Sequence, residues 1–203
     1  MKQIIVKLPP PHLRGKMSLE ETVASRRSVR RYRSESLALP QLSQMLWSAQ
    51  GITGSGRLRA APSAGATYPL EVFPVIGKQA IEELQAGIYH YDLDSHSLSL
   101  HQPGDLRLKL ARTALDEGFI AAAPVDIVIC ALYARTSYRY GRRGERYVHM
   151  EAGHVGQNIH LQAVALGLAT VEVGAFDDEE VRKVLGLEEQ IKPLYIMPIG
   201  KPR

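Results

Sequence analysis

Residues 125–133 form the apolar run that most limits how this chain can fold. Only Asp126 interrupts a series of valine, isoleucine, cysteine, alanine and leucine residues, which ends at Tyr133. A near-continuous apolar strand of this kind is buried on both faces, because successive side chains point to opposite sides of a sheet. The sheet that contains this strand needs a cover on each side, so the fold must mix strands and helices.

The longest helical pattern comes shortly after this strand. Residues 147–166 carry one apolar stripe at helical spacing and should form the central helix. Its members are Val148, Ala152, Val155, Ile159, Ala163 and Leu166. A capping box that begins at Ser18 predicts a helix over 18–26, and Leu39-Pro40 opens another that Gly51 closes. Shorter helices are expected over 105–115 and from 177 onward.

The remaining segments predict strands, one loop and one arm. Strands are expected at 71–76, 87–91, 97–100, 168–173 and 194–199, with the second and third joined as a hairpin. Pro74 should place its strand at an edge or a bulge. Residues 134–146 are expected to be a polar, arginine-rich loop. The prolines and glycine of residues 1–16 predict an extended arm that lies over another surface, often that of a partner subunit.

Composition excludes several classes of protein. A chain of 203 residues with 45% hydrophobic content is long enough for one large domain over 1–203 with a real core. The net charge of +4 is spread along the chain and does not require nucleic acid. Cys130 is the single cysteine, so a cytoplasmic protein without disulfides is expected. No apolar stretch reaches the ~20 residues of a membrane span.

Residues 26–33 are the strongest candidate for a binding site. They place five guanidinium groups and the Ser28 hydroxyl within eight residues, just after the first predicted helix. Arginine holds its charge and offers a planar fork of donors, which suits a small dianion such as a terminal phosphate. The alternative is a solvated basic turn.

Residues 61–69 have almost no bulky side chains. Glycine, alanine, serine, threonine and proline dominate there, and small residues let a backbone come close to a flat partner.

Other motifs do not predict a site. His149 and His154 are five residues apart on a helix and diverge, so no metal site is expected. Glu151 and His154 form a single E-x-x-H pair, whereas a di-iron bundle needs two. The sequence has no P-loop, no dinucleotide fingerprint and no local nucleophile triad.

The motifs taken together resemble the FMN-dependent nitroreductase superfamily, and within it the SagB-type, or thiazole/oxazole-forming, dehydrogenases. The resemblance covers nearly the whole chain. It rests on R-R-S-x-R-x-Y at 26–32, A-P-S-A-G-A-T-Y-P-L-E at 61–71, Y-G-x-R-G-x-R-Y at 140–147, E-A-G-H-x-x-Q-N at 151–158, A-L-G-L at 165–168, G-A-F-D-D at 174–178 and P-L-Y-I-M-P-I-G at 193–200.

This resemblance implies an α+β sandwich, with a mainly antiparallel sheet flanked by helices, in an intertwined homodimer that binds two FMN molecules. It implies that Arg26, Arg27, Ser28 and Arg30 hold the phosphate and the pyrimidine side of the flavin, and that Lys201 and Arg203 complete the phosphate site. Pro62, Ser63, Ala64 and Gly65 of the other subunit would lie against the flavin ring. Gly174 and Ala175 would direct a backbone N–H at the ring nitrogen that exchanges hydride.

The resemblance also implies catalytic roles for Arg139 and Tyr140, which occupy the positions of a Lys-Tyr pair in azoline-oxidising members. Arginine is a poor general base because it keeps its proton. The first interpretation is therefore hydride transfer between NAD(P)H and an electron-poor small molecule, of the nitroaromatic or quinone type. Oxidation of azolines in a peptide substrate is the second. A basic nucleic-acid-binding module is the third, although neither nucleic acid nor membrane is expected as a partner.

Overall fold

The computed structural model describes residues 4–203, which form an antiparallel sheet between two layers of helices. The strands are β1 (Ile5–Lys7), β2 (Leu70–Ile76), β3 (Gly87–Asp92), β4 (Ser97–Pro103), β5 (Val125–Leu132) and β6 (Ile191–Ile199). Their order across the sheet is β1-β4-β3-β2-β5-β6. Every neighbouring pair is antiparallel.

The helices are α1 (Leu19–Ser25), α2 (Leu39–Gln50), α3 (Arg107–Thr113), α4 (Gly118–Ala122), α5 (Tyr133–Tyr140), α6 (Arg143–Ala165) and α7 (Asp178–Leu185). The predicted capping box is present on α1, where Glu21 N–H donates to Ser18 Oγ at 3.1 Å and Ser18 N–H donates to Glu21 Oε2 at 2.7 Å. None of the helices within residues 4–203 combines the length and the apolar character needed to cross a lipid bilayer.

Strand β5 is buried on both faces, as its sequence predicts. Val125, Ile127 and Ile129 pack into the cluster that also contains the apolar sides of α2 and α6. Val128 and Cys130 face the other cluster, which α3, α4 and α7 complete. The strand is thus the shared wall of two cores, which explains why it has so few polar residues.

Pro74 lies in an interior strand, so the expectation of an edge position was wrong. Strand β2 pairs along its length with β5, but its pairing with β3 covers only Val75 and Ile76. The proline comes just before that second ladder begins. Its missing N–H is tolerated because β2 has only a short ladder on that side.

Residues 134–146 are not a loop. They contain most of α5, the turn at Gly141 and the beginning of α6. Helix α5 buries Thr136 and half-buries Tyr140, while Arg135 and Arg139 are exposed. Because its inner side has no aliphatic residues, its amphipathic pattern does not appear as a hydrophobic stripe.

Residues 168–173 do not form a continuous strand either. Ala169 pairs with Gly200, Thr170 with Ser28 and Val173 with Ile196. Each of these is an isolated bridge. The segment therefore connects two parts of the chain, the end of β6 and the residues around Ser28, instead of extending one ladder.

From residue 4 onward, the N-terminal arm lies on its own chain, and residues 1–3 of the predicted arm lie outside the described range. Residues Ile5–Lys7 of the arm form β1, which pairs with β4. Further on, Ser43 Oγ on α2 donates to Pro9 O at 2.6 Å, and Gln44 on α2 exchanges hydrogen bonds with the backbone of His12.

Candidate active site

Residues 28–33 lie extended between two other segments of the chain. On one side Val29 N–H donates to Thr170 O at 3.0 Å. On the other, Arg33 N–H donates to Lys201 O at 2.9 Å and Arg203 N–H donates to Arg31 O at 3.1 Å. We call residues 26–33 the arginine segment. This pairing brings Lys201 and Arg203, from the opposite end of the sequence, beside it.

A buried tyrosine fastens this segment to the sheet. Tyr32 packs with Ala123 and Ala169, and its hydroxyl donates to Val29 O at 2.6 Å. Burial raises the pKa of Tyr32, so its hydroxyl stays neutral as a donor. The backbone of the arginine segment is thereby held while most of its guanidinium groups face outward.

The charged groups of the segment are only partly neutralised. Lys201 Nζ lies 2.5 Å from Glu35 Oε2 and Arg33 lies 3.8 Å from the same carboxylate group. Arg27 donates to two backbone carbonyls, those of Ala24 and Arg26. The guanidinium of Arg30 lies 5.9 Å from the centre of the Phe119 ring. Within residues 4–203, the arginines at 26, 27, 30 and 31 form no ion pair, and such a surplus of cations is what an anion site requires.

The small-residue loop, residues 62–68, is a tight and strained turn. Gly65, Ala66 and Tyr68 have φ values of 57°, 52° and 46°, and the last two are non-glycine residues in the left-handed region. Tyr68 N–H donates to Ser63 Oγ at 2.9 Å and closes the turn.

Helix α5 holds this loop and brings it together with the predicted catalytic pair. Arg139 Nη1 donates to Gly65 O at 3.1 Å, and the Thr67 and Thr136 hydroxyls are 2.7 Å apart. A Cβ on Gly65 would lie 2.5 Å from the Tyr140 hydroxyl and 2.8 Å from Arg139 Nη1. Tyr140 also packs edge-on against Tyr147, with ring centres 5.1 Å apart.

A second set of contacts, which the sequence did not reveal, supports the loop from the sheet. Arg135 donates to Tyr68 O at 3.1 Å and lies 2.6 Å from Glu71 Oε1. His90 Nε2 is 2.6 Å from the other oxygen of Glu71. Burial opposes ionisation of Glu71, but His90 and Arg135 outweigh it and lower the pKa of this carboxyl. The only local signal was that Glu71 ends the motif 61–71.

Glu151 on α6 lies beneath the same loop. It is 2% exposed, and burial raises its pKa although Ser63, Gln50 and Arg59 favour the ionised form. Arg59 donates to Gln50 Oε1 at 2.8 Å and lies 4.2 Å from the centre of the Tyr68 ring. The E-x-x-H pair thus contributes a residue that supports the loop, and residues 4–203 contain no cluster of potential metal ligands.

Gly174 and Ala175 lie exposed, just after the bridge between Val173 and Ile196. A Cβ on Gly174 would meet the Tyr195 ring at 3.6 Å. Two residues earlier, Glu172 is near the buried His160, whose Nε2 is 3.2 Å from Glu172 Oε2.

The predicted site residues therefore form two groups in one chain. Arg26, Arg27, Ser28, Arg30, Gly174, Ala175, Lys201 and Arg203 belong to the part joined by the bridges around residues 169–173. Pro62, Ser63, Ala64, Gly65, Arg139 and Tyr140 belong to the part around the small-residue loop. Over the described range 4–203, no hydrogen bond or ion pair connects the first group with the second.

A single antiparallel sheet between two layers of helices defines an α+β protein. A crystal structure from Ralstonia eutropha JMP134, provisionally named a nitroreductase, superposes with a TM-score of 0.86 and 30% identity over 98% of this chain and 90% of that chain. The model of the nitroreductase family matches residues 23–201. The chain belongs to the nitroreductase family and is an oxidoreductase, so the predicted fold class is confirmed.

Two curated proteins show how similarity is distributed within this family. MJ1384 of Methanocaldococcus jannaschii, provisionally named a nitroreductase, is 44% identical over 185 residues, which are 91% of each chain. The microcin B17-processing protein McbC of Escherichia coli is 30% identical over 146 residues, 70% of this chain and 54% of McbC. The similarity to McbC supports the predicted relation to the azole-forming branch, at a lower sequence identity than that to MJ1384.

Proposed function

We propose that this protein is an FMN-dependent oxidoreductase that transfers hydride between NAD(P)H and an electron-poor small molecule, of the nitroaromatic or quinone type. The observation that carries this proposal is the pairing of the arginine segment with residues 200–203. Through this pairing the backbone of Arg33 contacts Lys201 and that of Arg31 contacts Arg203, which supports the proposal because a terminal phosphate needs several cationic donors close together.

The residues present fit FMN. Arg26, Arg27, Ser28, Arg30, Lys201 and Arg203 would hold the phosphate and the pyrimidine side, and the exposed backbone at Gly174 and Ala175 would face the ring. FMN, when bound, supplies the hydride chemistry. The protein's own part is to fix the ring, to exclude water and, at Tyr140, to donate or accept a proton.

A homodimer completes the site in this proposal. The two groups of site residues are not joined within one chain, so the small-residue loop of a second copy would reach the arginine segment of the first. An open groove of about 1110 Å³ runs between the arm, α1, α2 and α6. Leu13 and Leu19 on its wall are 80% and 64% exposed, which supports a second copy as its cover. A flavin-loaded monomer in light scattering would contradict this assembly.

Arg26→Ala tests the cofactor assignment. Losing one charge-assisted contact costs on the order of 1.5–3 kcal/mol, so the FMN affinity should fall by about 10- to 150-fold. The control is Arg112→Ala, which removes an exposed arginine from α3. Equal flavin content in both variants after gel filtration would reject the phosphate site. Turnover with NADH and NADPH against several acceptors then identifies the donor and the class of acceptor.

Oxidation of peptide azolines is the second candidate, and the similarity to McbC favours it. The contact between Arg139 and Gly65 O argues against it, because a guanidinium that holds the loop is not a free base. Conversion of an azoline-containing peptide to the azole by the purified protein would establish this activity.

A nucleic-acid-binding module is the third candidate. Arg27 donates to two backbone carbonyls, which leaves fewer of its N–H groups to contact a phosphate backbone. DNA or RNA binding that falls steeply with salt, in a protein that takes up no FMN, would support this candidate instead.

A further inference from the structure

Glu172 is an acidic residue close to two parts of the proposed site for an anionic cofactor, the arginine segment and Gly174. It follows Thr170, which pairs with Ser28 of the arginine segment, and it precedes the exposed Gly174 by two residues. Its side chain is 26% exposed. A carboxylate is unexpected here, because the neighbouring arginines would bind an anionic ligand more strongly without it.

Three residues surround the Glu172 side chain. His160 of α6 is 1% exposed, and its Nε2 lies 3.2 Å from Glu172 Oε2. Gly156, one helical turn earlier on α6, lies against Glu172, since a Cβ there would be in van der Waals contact with Glu172 Cγ at 3.4 Å. Tyr195 closes the same space, 3.9 Å from that Cβ position. The side chain is thus confined between α6 and the segment that carries Gly174.

The surroundings also keep Glu172 charged. Burial raises the pKa of its carboxyl, but the contact with His160 and the charge of Arg26 outweigh that effect and lower the pKa. The bridge between Thr170 and Ser28 joins the segment that carries Glu172 to the arginine segment.

We propose that Glu172, positioned by His160, lowers the reduction potential of the bound cofactor by placing a fixed negative charge beside it. This inference rests on the proposed function. Reduction adds negative charge to a flavin, and a nearby carboxylate opposes that charge whereas Arg26 favours it. The balance between Arg26 and Glu172 would set how readily the protein accepts hydride from its donor and gives it to an acceptor.

The test is the midpoint potential of the FMN-loaded protein, measured by equilibration with a redox dye. Glu172→Gln should bind reduced FMN about tenfold more tightly relative to oxidised FMN, which corresponds to a positive shift of about 30 mV. Glu172→Ala removes the same charge without a side chain that could clash, and it should shift the potential in the same direction. Glu172→Asp keeps the charge, so its midpoint potential should stay nearer to that of the original protein.

Glu189→Gln is the matched control, since it makes the same change of charge at an exposed residue between α7 and β6. Unchanged potentials in both Glu172→Gln and Glu172→Ala, with FMN still bound, would overturn the role of Glu172 and leave the proposed function intact. An original protein that binds no FMN would instead refute the proposed function. A shift in Glu189→Gln as large as that in Glu172→Gln would also overturn the inference, because it would show a general effect of net charge.

Discussion

Replacing Gly65 by alanine perturbs the contact between the small-residue loop and α5. Gly65 has φ 57° and ψ 24°, where an alanine costs about 1–2 kcal/mol. Its Cβ would also lie 2.5 Å from the Tyr140 hydroxyl and 2.8 Å from Arg139 Nη1. The guanidinium must move and lose its bond to Gly65 O, which adds on the order of 0.5–1.5 kcal/mol.

Gly56 offers a control, because its backbone conformation is nearly the same and no atom lies close to the position that a Cβ would take. It has φ 74° and ψ 19°, and nothing lies within 4 Å of a Cβ built on it. Gly56→Ala should therefore show the backbone cost alone. The difference between the two variants isolates the contact with α5.

The assay is urea unfolding followed by circular dichroism, at one fixed protomer concentration because a dimer's stability depends on it. Gly65→Ala should be less stable than Gly56→Ala by about 0.5–1.5 kcal/mol. Adding Arg139→Ala and Tyr140→Phe to both glycine variants should remove most of that difference, because the new Cβ then meets neither the guanidinium nor the hydroxyl. Equal stabilities of the two glycine variants, or a penalty that persists without these two groups, would refute the reasoning.

Two further predictions concern protons. Burial raises the pKa of Asp126 well above its usual value, so its contribution to stability is full below an unfolded pKa of about 3.9 and falls as the pH rises toward the folded pKa. Asp126→Asn should remove this loss of stability, which amounts to about 1.4 kcal/mol per unit by which the pKa is raised. Denaturant titrations from pH 4 to 9 measure it. A plot of unfolding free energy against pH that runs parallel to that of the original protein would contradict the prediction. Tyr140→Phe should slow oxidation of the reduced protein by a proton-requiring acceptor by about 100-fold, with flavin content unchanged, in stopped-flow absorbance. Rates within about twofold across the acceptors would leave Tyr140 a packing residue, since general acid–base catalysis contributes far more.

Local signals in the sequence were enough to predict much of the architecture. The capping box at Ser18, the apolar run of β5 and the stripe of α6 each depend on residues close together in the chain. Helix α5 was missed because tyrosine and threonine form its inner side. Pro74 was placed at an edge because the sequence does not tell how far the ladder with β3 extends.

The candidate site was predictable only in part. The arginine segment and the small-residue loop stand out by composition, so their residues could be named in advance. The contacts of Glu71 with His90 and Arg135 depend on the register of two strands and the direction of a helix, which join residues up to 64 positions apart. The pair of His160 and Glu172 likewise requires the packing of α6 against a segment that pairs with two others.

The pairing of the arginine segment with residues 200–203 also determines when this surface can form during synthesis. Arg33 is made long before Pro202, the partner 169 positions away to which its side chain donates. At 5–20 residues per second, the arginine segment waits roughly 10–30 s for these partners. A chain interrupted before residue 200 would carry the arginines without the strand that orders them. Under the proposed function, uptake of the cofactor should therefore follow the synthesis of residues 200–203, and nascent chains that are stalled on the ribosome before residue 200 should contain none.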